Sequence, residues 1–162
     1  MSRQISNKPR KYIKMKIRYL LIFILLIPLQ AYSQDCTDYH QYHCPYGDYT
    51  FFYSRQSKSM LFSKGQTSEI QMVAYGGEDY YIAVCAHRKF GDIHFRILED
   101  DAQRAVLYDN AENGYSDFII FSNQSTKNLI IEASVPEGSP HEAKEYRCVG
   151  VVIEFRKTGQ NK

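Results

Sequence analysis

Tryptophan is absent from the 162 residues, proline occurs only five times, and no acidic residue precedes Asp35. So little proline excludes a proline-rich linker or an extended recognition segment. The missing acids at the start exclude an ordinary solvated domain surface there, because such surfaces mix charges of both signs. Long apolar runs are also missing. The most apolar stretch covers Leu20 to Leu29 and contains Pro28, whereas a membrane-crossing helix needs ~20 apolar residues without such a break. Catalytic signatures are lacking too: there is no G-x-S-x-G elbow, no S-x-x-K pair and no phosphate-binding glycine loop.

What stands at the start fits export. Lys14, Lys16 and Arg18 precede the apolar run, and Ala31-Tyr32-Ser33 follows it. A positive flank, a short apolar core and a small-x-small exit are the parts of a secretory signal, so residues 1–33 are expected to be a cleaved leader. Met15 opens M-K-I-R-Y-L-L, a compact leader in itself, and is the expected true start. Cys36 follows Gln34 and Asp35 rather than a small residue, which favours an ordinary thiol over a lipidated one. Cleavage leaves no transmembrane anchor, and the expected destination is the periplasm, the cell surface or the medium.

Removing the leader reverses the charge. Seven of the 20 Lys and Arg lie in it, which leaves 13 basic against 18 acidic residues, a net −5. The clustered positive surface that nucleic acid requires is therefore not expected. Residues 34–162 suffice for one domain with a real core. All four cysteines, Cys36, Cys44, Cys85 and Cys148, follow the cleavage site, and an even count in an exported chain argues for disulfides. Of the three possible pairings, Cys36–Cys44 with Cys85–Cys148 is favoured: the first is close in sequence, and the second would join two strands.

Residues 34–48 carry turn formers and no apolar period, and read as a disulfide-stapled N-terminal arm. Beyond them, β-branched and aromatic segments recur between Gly, Asn, Asp and Pro. Strands are expected at Tyr49–Ser54, Ser59–Phe62, Glu69–Tyr75, Asp79–Ala86, Ile93–Leu98, Ala105–Tyr108, Phe118–Phe121, Asn128–Val135 and Tyr146–Phe155. Gly76-Gly77 reads as a hairpin pair, and Glu99-Asp100-Asp101 as a charged turn. Ile93, Phe95 and Ile97 share one face, with His94 and Arg96 on the other. Val149, Val151 and Ile153 are in phase, which puts Cys148 on the outer side. No segment has helical period. Eight or nine short strands over 49–157 make an all-β, two-sheet antiparallel sandwich the expected fold, jelly-roll-like and followed by a short tail.

The succession D-Y-Y-I-A-V (79–84), G-D-I-H-F-R-I-L (91–98), V-L-Y-D-N (106–110), F-I-I-F (118–121) and N-L-I-I-E-A-S-V-P (128–136) resembles the jelly-roll domains that accompany bacterial secreted proteases, the pre-peptidase C-terminal domains. The likeness covers about residues 60–155. It implies a non-catalytic accessory role. Paired aspartates often precede a strand in those domains, and Gly91-Asp92 stands at that position here, a departure that bears on any carry-over of their calcium sites.

Candidate chemistry falls in four places. His40, His43 and Cys44, with Cys36, Asp35 and Asp38, could be drawn as a zinc or copper site, but oxidation of the cysteines would remove the thiolates. Asp109, Asn110, Glu112, Asn113 and Asp117 form an oxygen-rich loop that would take calcium as cofactor, with Glu99-Asp100-Asp101 as added ligands if both turns lie at one end. The EF-hand pattern fails there, because Ala111 and Ile120 occupy ligand positions. His87, Asp92 and His94 could gather for acid–base work. His141-Glu142 begins like a zinc-protease helix but has Glu145 where the second histidine belongs. Tyr39, Tyr42 and Tyr46, beside His40 and His43, offer rigid amphipathic contact surface, whereas Tyr49 and Tyr53 read as core or edge cover. These features point to an exported, non-catalytic sandwich that binds a protein or glycan through the arm and the 109–117 loop. The alternatives are a secreted hydrolase with a loop-borne metal and a structural part of an envelope assembly.

Overall fold

A computed structural model describes residues 35–138 and 145–159. The leader, the Met15 start and the segment around His141 lie outside the described residues. Nine strands are present among those described: β1 (Phe52–Tyr53), β2 (Lys58–Ser63), β3 (Thr67–Ala74), β4 (Glu78–Ala86), β5 (His94–Glu99), β6 (Val106–Asp109), β7 (Phe118–Asn123), β8 (Lys127–Ser134) and β9 (Tyr146–Lys157). They build an all-β sandwich of two antiparallel sheets. One sheet runs β1-β9-β4-β7, with β2 also paired to β9; the other runs β3-β8-β5-β6. β9 is long enough to hold β2 at Tyr146–Val151 and β1 at Glu154–Phe155 along one edge, and β4 along the other.

Alternation along the strands fixes the core. Tyr80, Ile82 and Val84 of β4 point between the sheets with Val149, Val151 and Ile153 of β9. Ile70 and Met72, Phe95 and Ile97, and Leu129 and Ile131 meet them from the second sheet. Each such side chain contributes about 1.5–3 kcal/mol on burial. β4 is apolar on both faces because its other face is covered as well. Tyr81, Ala83 and Val152 form a smaller cluster with Cys44 and Phe51, under the N-terminal arm.

The arm departs from expectation. It contains a one-turn helix, α1 (Tyr39–His43), where no helix was expected. Its cysteines do not pair with each other. Cys36 bonds to Cys148 and Cys44 to Cys85, with Cα–Cα distances of 5.4 and 5.2 Å. The cause is register. Cys85 stands opposite Gly150, so Cys148 is its diagonal neighbour, roughly 7–8 Å away and at the limit of what a disulfide spans. Both cysteines face outward from the sheet, as phase indicates for Cys148, and each takes a cysteine from the arm above. Gly150 permits this approach: a Cβ there would lie 2.7 Å from Cys44 Sγ and 2.8 Å from His40 Cα.

Two further expectations are corrected. The strand at Tyr49–Ser54 shrinks to Phe52–Tyr53, because Asp48 turns the chain by accepting from the Thr50 N–H (2.8 Å) while its carbonyl accepts from the Phe51 N–H. Gly76-Gly77 is not a hairpin, since β3 and β4 belong to different sheets. It is a crossing, and a Cβ on Gly76 would lie 2.8 Å from the Gln124 carbonyl. The charged 99–101 turn does join a paired hairpin, β5 to β6.

Candidate functional site

His40 is the arm residue most altered by folding. It is 5% exposed, on the buried side of α1 with Cys36 and Cys44. Its backbone N–H donates to Ser59 Oγ (2.8 Å), its Nδ1 lies 2.6 Å from the same oxygen, and its Nε2 lies 2.7 Å from Tyr53 Oη. The ring therefore pins the arm to β2 and β1 and is not presented to a ligand. Burial holds its pKa below the ordinary histidine value, against the opposing pull of Asp38. An unfolded chain takes up this proton first as pH falls. The network's stabilisation is thus complete above about pH 6.5 and declines as pH drops from there through the folded value. The melting temperature is expected to fall below about pH 6.5, and His40→Gln is expected to flatten that part of the profile, as calorimetry across pH would show.

The other arm residues face outward. Tyr42 is 79% exposed. Tyr39 stacks on His43 with ring centroids 4.4 Å apart, and Tyr46 Oη donates to the Gln41 carbonyl. Cys36 and Cys44, in disulfides, are not available as metal ligands, and His40 and His43 leave α1 in different directions.

The 109–117 loop uses its polar groups for its own structure. Asp109 Oδ1 accepts from the Ala111 N–H (2.9 Å) and pairs with His94 Nε2 (2.8 Å). Burial raises the Asp109 pKa, but these two bonds, together with electrostatic attraction to His94 and Arg96, hold the carboxyl below its usual range. Asn110 is 1% exposed; its Oδ1 accepts from the Phe95 N–H, and its Nδ2 donates to the carbonyls of Ile93 and Ser116. Asn113 Nδ2 donates to the Asp109 carbonyl. Glu112 is exposed on the short 3-10 turn, and Asp117 is exposed after it. Among the described residues no three His, Cys, Asp or Glu side chains are grouped to hold a metal ion.

Two clefts meet beside this loop, sharing Asp92 and Tyr115. The narrower, about 290 Å³, lies between His43 and Pro45 of the arm and Asp117 of the loop, floored by Val84 and Cys85. The wider, about 560 Å³, is lined by Thr67, His94, Ser134 and Glu137. Tyr115 lines both, 46% exposed and held at φ 57°, the left-handed region that non-glycine residues rarely adopt. Its ring meets His94 edge-on at 6.3 Å. Asp92 and His94 thus come together, whereas His87 lines neither cleft and caps the next turn by accepting from the Lys89 N–H. His94 has a carboxylate partner, but Ser134 Oγ, across the strand pair, is bonded to Thr67 Oγ1 at 2.8 Å. Tyr115 and Pro45 carry no sequence signal beyond an aromatic after Asn113-Gly114 and a proline after Cys44.

No protein-family model matches the chain, and a search of curated proteins finds no match. Among solved structures, the chain is similar to a crystal structure of PliG from Aeromonas hydrophila, a periplasmic lysozyme inhibitor of g-type lysozyme. Identity is 10% and the TM-score 0.48, over 69% of this chain and 93% of that one. The resemblance to pre-peptidase C-terminal domains has no counterpart in these comparisons; the two-sheet β-sandwich stands on its own strand pairing.

Proposed function

We propose that the chain is an exported, non-catalytic binding protein whose ligand, a protein or glycan of the envelope or extracellular space, docks where the arm and the 109–117 loop meet. One observation carries this reading: His43 and Pro45 of the arm and Tyr115 and Asp117 of the loop, far apart in sequence, line one cleft. The leader pattern and the two disulfides support a destination where thiols oxidise. The strand orders, with most links crossing between sheets, support a jelly-roll-like reading of the sandwich.

Binding is favoured over hydrolysis by what the polar groups do. Asp109 and Asn110 hold backbone, and no described hydroxyl is hydrogen-bonded to His94 as a nucleophile would be to its base. Tyr115 offers a half-exposed, positioned ring of the kind that anchors partners. The test is capture from envelope extracts and, in parallel, on insoluble cell-wall glycan, with the mature protein as bait. Tyr115→Ala is expected to weaken retention about tenfold or more on whichever material binds. Unchanged retention would move the site elsewhere, and no retention on either material would remove the reading.

A further inference from the structure

The two flanks of the sandwich end differently. On the flank of β2 and β3, side-chain amides stand in for a missing strand. Gln56 accepts from the Val73 N–H (2.8 Å) and donates to the Val73 carbonyl (3.1 Å), the pair of bonds that a neighbouring strand would make with β3. Gln66 Oε1 accepts from the Ser63 N–H (3.0 Å) at the end of β2. The opposite flank consists of β6 and β7, each the last strand of its sheet.

β7 reads F-I-I-F-S-N and carries neither charge nor proline, the devices that keep an edge strand from joining another chain. Asp117 just before it and Asn123 at its end direct their carbonyls to the N–H groups of Val84 and Gly77, on the β4 side. Alternation in an antiparallel pair then turns the N–H and C=O of Ile120 and Ser122 to the open side, where β7 has no strand partner among the described residues. Ser116 Oγ occupies the Phe118 groups. Phe118 is 43% and Ile120 49% exposed.

We infer that β7 is the interface of a homodimer in which two copies pair antiparallel about a twofold axis at Ile120, joining their five-stranded sheets. A twofold contact requires a surface that complements itself, and an uncharged strand meets its own copy without repulsion. In this register Ile120 faces Ile120, Ile119 faces Phe121 and Phe118 faces Ser122, whose N–H reaches the second lone pair of the Phe118 carbonyl beside the Ser116 hydroxyl. The nearest charge, Asp117, faces the neutral Asn123 of the other copy, so like charges stay apart. The exposed Phe118 and Ile120 side chains supply the apolar contact at the centre of the interface. The interface adjoins the cleft proposed above at Asp117 but rests on β7 alone.

Sedimentation equilibrium of the mature protein over a range of concentrations tests it. The expected result is a reversible dimer, with association at least tenfold weaker in Ile120→Lys and unchanged in Tyr42→Lys, the same change at a more exposed position on the arm. A monomer at every concentration, or a dimer that persists in Ile120→Lys, would overturn the inference. Hydrogen exchange on the unmutated protein gives a second reading that does not depend on the variant folding. Protection of the Ile120 and Ser122 amides should rise with protein concentration, and concentration-independent exchange there would also overturn it. So would a monomer whose β7 pairs with a different protein.

Discussion

Replacing Cys36 and Cys148 together with serine is expected to lower the unfolding free energy by about 5 kcal/mol, and replacing Cys44 and Cys85 by about 4 kcal/mol. The bonds join residues separated by 112 and 41 positions, and the loop-entropy relation gives these two magnitudes in this order. Since domains are stable by about 5–15 kcal/mol in total, the first variant should be marginal and the second clearly weakened. The arm is not set free in either, because the remaining bond still holds it to the sheet. Urea unfolding of the two double variants measures the difference. Thiol titration of the same samples checks the connectivity: each variant keeps one intact bond and should show no free sulfhydryl. Two reactive thiols in either would mean that the arm cysteines pair in another way.

That connectivity was not legible in the chain, and the reason is instructive. Strand phase places Cys148 on the outer face, and this holds. Phase does not give register, and a two-residue shift, which leaves the phase unchanged, separates a directly opposed Cys85–Cys148 pair from the observed Cys85–Gly150 opposition. A signal for the alternative was nonetheless present. Cys36, His40 and Cys44 recur every four residues, the spacing of one helix face, and all three are at most 8% exposed. Seen as turn formers and possible ligands, they hid the period that marks an arm lying on a sheet. Gly150 between Val149 and Val151 is the matching signal on the strand side, since a glycine inside a strand often marks close approach of another backbone.

The strands themselves were largely readable because burial on one face imposes alternation. β3 and β7 follow that rule along their length, whereas β4 and β9 break it because the arm covers their other face. The failures lie where local chemistry outweighs side-chain type. The aromatic residues at Tyr49–Tyr53 have strand propensity, but Asp48 bends the chain before Phe52. Gly76-Gly77 has hairpin chemistry, but Gly76 serves the packing of a sheet crossing against Gln124. For the candidate site, sequence pointed to the arm and the 109–117 loop separately. Only the fold brings them to one cleft, and only the hydrogen bonds show that Asp109 and Asn110 are structural. An acid or amide in a turn can cap backbone or bind an ion with the same residue type, so composition alone cannot distinguish the two.

Asn110 therefore carries the second large effect. Asn110→Ala is expected to cost about 3 kcal/mol or more, because the Phe95 N–H and the Ile93 carbonyl lose buried partners while the space left is apolar. Glu112→Ala, two residues on and exposed, should stay within about 0.5 kcal/mol. Thermal and urea unfolding of the pair separates a loop held by one buried amide from a loop held diffusely along its length. The consequence reaches the cleft. Asn110 bonds the Ser116 carbonyl by its side chain, and its own carbonyl accepts from the Tyr115 N–H at 2.9 Å, so it braces a residue that both clefts share. Losing the side chain should loosen Tyr115 and weaken ligand retention even under conditions where Asn110→Ala remains folded. Asn110→Ala as stable as the native chain would show that the left-handed Tyr115 is held by something else, and the case for a preformed site around it would fall with that result.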